Sequence, residues 1–156
     1  MGQKGNETSA FVTGRAGAAP ERRRRGFAVL LVEGSLGEAE LIREAFADSG
    51  VLGELHVARS GAEAISFLWN QPTGRKPDLI LLDLVMPGRS GWEVLAEIGR
   101  VPEVRGIPVG VLISSPAETV LLEAVAARAR FVTRPEGPHA FRRFIESILL
   151  LVAHAA

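Results

Sequence analysis

Lys76-Pro77-Asp78-Leu79-Ile80-Leu81-Leu82-Asp83-Leu84-Val85-Met86-Pro87-Gly88 is the stretch on which the reading of the fold turns. Its apolar run is entered through Pro77 and left through Pro87-Gly88. An uninterrupted apolar run between turn residues predicts a strand covered on both faces, as in the middle of a parallel sheet. Asp83 stands where that strand runs out. In open α/β sheets, ligands and chemistry gather outside the carboxyl ends of the strands, so Asp83 is the first candidate for function. Alone it is a weak signal, because an Asp after a strand is more often a turn or cap residue. The other strand ends decide between the two.

Working outward, Phe27-Ala28-Val29-Leu30-Leu31-Val32 predicts a second uniformly apolar strand, ending in Glu33-Gly34-Ser35. From Leu36 to about Ser49 the period turns helical, with Leu36, Ala39, Leu41, Ile42, Ala45 and Phe46 on one broad apolar face and Gly50 as the stop. Glu54 to Ala58 is a shorter, mixed strand suited to a sheet edge, and Gly61 to Trp69 a helix carrying Ala64, Ile65 and Leu68. Beyond Asp83 come a helix over Gly91 to Ile98, an apolar strand over Ile107 to Ile113 closed by Ser114-Ser115-Pro116, and a helix over Ala117 to Arg128. Arg130 to Thr133 is a last short strand, followed by Arg134-Pro135, and Pro138 to about Ala153 a closing helix. Five strands alternating with five helices through short joins imply parallel strands and right-handed crossovers. The three most apolar strands belong in the centre. That places them in the order 2-1-3-4-5, the single-domain, doubly wound α/β sheet of flavodoxin-like (βα)5 type.

The chain has 156 residues, enough for one domain with a real core and a tail. Eighteen basic residues balance eighteen acidic ones, which argues against nucleic acid as the main partner, since that binding draws on an excess of Lys and Arg. The absence of cysteine excludes disulfides, thiol catalysis and Cys-ligated zinc. His56, His139 and His154 lack metal-ligand spacing. No apolar run approaches the length that spans a bilayer, so a soluble, cytoplasmic protein is expected, with no membrane partner. Residues 1–26, with Arg22 to Arg25, read as a disordered basic tail, and 27–153 as the folded unit.

A parallel sheet puts all its carboxyl ends on one rim. That rim would collect Glu33, Asp83, Ser114 and Arg134 from four separate strands. Two carboxylates on adjacent strands repel unless something cationic lies between them, and a hard divalent ion such as Mg²⁺ suits oxygen ligands. A hydroxyl and a guanidinium opposite suit the oxygens of an anion, most simply a phosphoryl group. An Asp can itself accept that group as an aspartyl-phosphate. Singly, each residue has a plainer role: Glu33 near a helix dipole, Ser114 as a cap, Arg134 on the surface. Four functional types converging on one rim are harder to assign to chance.

At these residues the chain closely resembles the receiver domain of two-component response regulators, over about Phe27 to Val152. The resemblance is carried by Leu31-Val32-Glu33, Leu81 to Gly88 with Gly91, Ser114-Ser115, and Phe131-Val132-Thr133-Arg134-Pro135. Arg75 to Asp83 with Val94-Leu95-Ala96-Glu97-Ile98 looks most like single-domain regulators that work beside bacterial phytochromes. The resemblance implies that Asp83 takes a phosphoryl group from a histidine kinase, here a bacteriophytochrome, in a Mg²⁺-dependent step. It implies Glu33, Asp83 and the Val85 carbonyl at the metal, Ser114 as the switch hydroxyl and Phe131 as the switch aromatic. Two positions depart from the family pattern. Gly34 stands where a second acidic metal ligand is usual, which predicts weak Mg²⁺ binding unless Glu33 reaches in. Arg134 stands where lysine is usual, and its longer planar group is not a neutral exchange.

The expected function is therefore a stand-alone receiver that signals by protein contact, a signalling protein and not an enzyme. The alternative is a degenerate pseudo-receiver, a phosphorylation-independent interaction module, which Gly34 favours. An Asp-nucleophile phosphatase on the same fold needs a second acidic residue two positions after the nucleophile, where Val85 stands. In the last helix Phe141, Phe144, Ile145, Ile148, Leu149 and Val152 face inward, while Leu150 and Leu151 carry the apolar surface around it. That predicts a homodimer through the C-terminal helix.

Overall fold

The computed structural model describes residues 26–71, 74–86, 90–115, 129–136 and 138–154. The expected tail up to Arg25, the turn at Pro87-Gly88, the expected helix over Ala117 to Arg128 and the side chain of Phe141 lie outside the described residues. The elements are β1 (Phe27–Val32), α1 (Leu36–Asp48), β2 (Gly53–Ala58), α2 (Gly61–Asn70), β3 (Leu79–Asp83), α3 (Gly91–Arg100), β4 (Val109–Ile113), β5 (Ala129–Thr133) and α4 (Pro138–His154). The strands form one sheet in the order β2-β1-β3-β4-β5, and each neighbouring pair is parallel. This is the doubly wound order expected from the apolar strands. The boundaries move slightly: β2 starts at Gly53, and β4 starts at Val109 because Pro108 and Ile107 still belong to the approach.

Alternate residues of each central strand serve opposite faces, as the two-residue repeat of a strand demands. Leu30, Val32, Ile80, Leu82, Val111 and Ile113 pack with Ala64 and Leu68 of α2 and Val94 and Ile98 of α3. Val29, Leu31, Leu79, Leu81, Leu112 and Val132 pack with Ala39, Ile42 and Phe46 of α1 and Phe144, Ile145 and Ile148 of α4. The buried face of α1 is narrower than expected, since Leu36 and Leu41 are exposed.

Three helices start in the same way. Ser35, Ser60 and Ser90 each accept, through Oγ, the backbone N–H of the Glu three residues on: Glu38, Glu63 and Glu93, at 3.3, 3.1 and 3.3 Å. Each such cap contributes about 1 kcal/mol. Gly50 follows the capping residue of α1 with φ of 68°, a left-handed backbone that glycine adopts without penalty. At the amino end of the sheet Asp78 ties two central strands together. Its Oδ2 accepts the N–H of Ala28 at 2.8 Å and Nη2 of Arg75 at 2.6 Å. The opposite rim is left for function.

Candidate functional site

Strand register decides which side chains meet. Val32 of β1 pairs with Leu82 of β3, so Glu33 and Asp83 come next on adjacent strands, level with each other. The ladder runs one residue past β1 and past β5: the N–H of Glu33 donates to Ala58 O at 3.0 Å, and that of Arg134 to Ile113 O at 2.8 Å. Glu33, Asp83 and Arg134 therefore leave the sheet at one rim. Both acids are buried, with 2% of Glu33 and 8% of Asp83 exposed, and they are the buried charged residues among those described.

The guanidinium of Arg134 lies between them. Nη1 donates to Glu33 Oε2 at 2.7 Å and Nη2 contacts Asp83 Oδ1 at 3.0 Å. Nη1 is also 3.9 Å from Oε2 of Glu38 in the first turn of α1, a half-exposed carboxylate. The cation that a pair of adjacent carboxylates requires is thus supplied by the chain. A planar fork can give one nitrogen to each acid, which a single ammonium cannot do with the same geometry. The remaining bonds are local: Glu33 Oε1 accepts the Ser35 N–H at 3.1 Å, and Asp83 Oδ1 the Val85 N–H at 2.9 Å.

Burial holds the Glu33 carboxyl above its usual pKa, against the opposing bonds from Arg134 and the Ser35 amide, and the neighbouring Asp83 charge adds to the rise. For Arg134, burial acts to lower the pKa, but its bond to Glu33 and the charges of Glu33 and Asp83 win and raise it. The guanidinium is therefore locked in its charged form while Glu33 carries the cost of burial.

Ser114 lies two residues past Leu112, the β4 partner of Asp83, and is exposed at the same rim. Phe131 is half-buried and packs on the α2–α3 side of the sheet. Val85 is 86% exposed, so its side chain contributes no packing at the site. Gly34 offers no side chain, and its carbonyl accepts Nη2 of Arg59 at 3.2 Å. Arg59 and Glu38 were absent from the expected set. Arg59 directly follows the last residue of β2 and has a buried Nε without a partner. A cation at the one remaining strand end, that of β2, was the signal for it.

Two hard carboxylates and a main-chain carbonyl suit a magnesium ion by chemistry. In this structure Arg134 engages one oxygen of each acid, Glu33 Oε2 and Asp83 Oδ1. No group of three or more His, Cys, Asp or Glu arranged for a metal occurs among the described residues.

A family model described as the response regulator receiver domain matches residues 29–146. Response regulator Rcp1 of Synechocystis is 42% identical over 93 residues, 58% of this chain and 63% of Rcp1, so the match spans less than two thirds of that relative. Among solved structures, the phosphorylated cyanobacterial phytochrome response regulator RcpA is 31% identical with a TM-score of 0.71, covering 83% of this chain and 96% of that one. The Mn²⁺-bound form of Rcp1 is 34% identical with a TM-score of 0.66, covering 80% and 94%. With the parallel sheet, the acid pair at its rim and a family match over most of the folded residues, the chain belongs to the response regulator receiver domains.

Proposed function

We propose that this chain is a two-component response regulator whose Asp83 accepts a phosphoryl group from a histidine kinase. The observation that carries the reading is the buried Asp83 at the carboxyl end of β3, beside Glu33 and in contact with the Arg134 guanidinium. In the transfer a carboxylate oxygen of Asp83 attacks phosphorus, the bond from phosphorus to the donor nitrogen breaks, and an acyl phosphate remains. Arg134 offsets charge on the incoming oxygens. Ser114 supplies the hydroxyl that holds a phosphoryl oxygen, and Phe131 the aromatic group that responds. Mg²⁺, held by Glu33, Asp83 and the Val85 carbonyl, would add charge neutralisation at the transferred group. It binds weakly, because Gly34 contributes no carboxylate.

The folded unit is assigned to 27–153, behind a basic tail at 1–26. RcpA was solved phosphorylated, which supports phosphoryl chemistry over a purely passive interaction module. The phytochrome regulators among the relatives support a kinase of bacteriophytochrome type as partner. Output then runs through protein contact, with a homodimer through α4, in the cytoplasm. No helix among the described residues is long and apolar enough to cross a membrane.

Incubating the protein with acetyl phosphate and Mg²⁺ and measuring intact mass tests the reading. One phosphoryl adduct is expected, absent from Asp83→Asn. An adduct of equal yield in Asp83→Asn would overturn the assignment.

A further inference from the structure

We infer that Arg134 is the resident cation of the acid pocket and that Mg²⁺ enters only by displacing its guanidinium outward to Glu38. The inference rests on the phosphoryl-acceptor reading, which is what brings a divalent ion to this rim. Three observations carry it. Arg134 already contacts one oxygen of each carboxylate the metal would use, at 2.7 and 3.0 Å. Its backbone is fixed, by the N–H bond to Ile113 O at 2.8 Å and by Pro135, which restricts the residue before it to extended conformations. The side chain alone is therefore free to move. Finally, an acceptor stands on its way out: Glu38 Oε2, 3.9 Å from Nη1, half-exposed and on a different element from either buried acid.

Charge sets the direction of the exchange. Glu33 and Asp83 carry two negative charges when ionised, and one is cancelled while the guanidinium stays. Mg²⁺ needs near-ideal octahedral oxygen coordination and gives up its waters reluctantly, so a pocket already half-neutralised and occupied by a planar fork is a poor host. Once Arg134 pairs with Glu38, the pocket presents both charges to the metal, and the guanidinium, still at the rim, can turn back to a phosphoryl oxygen when one arrives. Metal binding is thereby coupled to a contact between the end of β5 and the start of α1. Arg134 thus determines which cation the pocket holds, and Glu38 positions the displaced side chain.

Calorimetric titration with Mg²⁺ tests this on the full chain. Arg134→Met, which keeps the aliphatic stem and removes the charge, is expected to bind Mg²⁺ at least tenfold more tightly than the parent, since even with water-like screening one unit charge about 4 Å away costs about 1 kcal/mol and Mg²⁺ carries two. Glu38→Gln is expected to weaken Mg²⁺ binding in the parent and to have no effect in the Arg134→Met background, because Glu38 acts through Arg134. Equal or weaker binding by Arg134→Met would overturn the displacement. An equal effect of Glu38→Gln in both backgrounds would overturn the outward station. Thermal melts without metal confirm that each variant is folded. The acetyl phosphate adduct on the parent reports separately on the acceptor reading. An adduct with no tightening in Arg134→Met sinks the displacement alone, and a missing adduct sinks the reading.

Discussion

Glu33 is ionisable, buried and bonded to an arginine, and burial is the stronger influence on its pKa. The sign of the consequence follows from linkage. In the unfolded chain Glu33 titrates at the ordinary 4.5; in the folded protein it holds its proton to higher pH. Between those two values the folded state binds more protons, so the Glu33 contribution to stability falls as pH rises through that window. Above the folded pKa the charged, buried carboxylate is a net cost. The difference in melting temperature between the parent and Glu33→Gln is therefore expected to move in the parent's favour as pH is lowered towards 4.5. A change in the other direction would mean that the Arg134 bond outweighs burial. Arg134, with a raised pKa, contributes stability below its unfolded pKa that is lost only at strongly alkaline pH. Much of this was hidden in the sequence. Glu33, Asp83, Ser114 and Arg134 could be assigned to one rim from strand ends alone, but which atoms touch depends on the reach of Arg134 back across β4 to β3 and β1. That reach is a matter of rotamer and sheet twist.

The strands and helices were the most legible level, because apolar runs and helical periodicity are local signals. Uninterrupted apolar strands mark the centre of a parallel sheet, and the observed order follows from them. The Ser-x-x-Glu starts at Ser35, Ser60 and Ser90 formed no part of the sequence reading, which placed these helices by periodicity, and the caps fix helix entry more sharply. Less legible was how closely α3 approaches β3. Gly91, the first residue of α3, is buried, and a methyl group there would collide with the Asp83 carbonyl oxygen and come within 2.5 Å of the Leu84 Cα. Gly91→Ala must push α3 away from the strand that carries Asp83. It is expected to destabilise the protein by about 1–3 kcal/mol, the usual cost of overpacking, read from the urea midpoint. An unchanged midpoint would contradict this packing.

For the molecule as a whole, the proposed homodimer rests on the surface of α4. Leu150 is 60% exposed, as an interface residue requires. Leu151 departs from the expectation, since it is partly buried against the core and its Cδ1 lies 3.2 Å from where a Cβ on Gly110 would stand. Glycine in β4 leaves room for it, a cross-element fit that helical periodicity cannot reveal. The apolar surface offered by α4 is therefore narrower than two leucines, and Leu150 becomes its test. Light scattering is expected to return a dimer for the parent and a monomer for Leu150→Glu; a monomeric parent at high micromolar concentration would remove the interface. Chemical trapping reaches the chemistry at the sheet rim most directly. Borohydride reduces an acyl phosphate on an aspartate to homoserine, so treating the protein after acetyl phosphate and Mg²⁺, then sequencing peptides by mass spectrometry, identifies the acceptor. Homoserine at position 83 is the predicted result, and homoserine at any other acidic position, or at none, would contradict it.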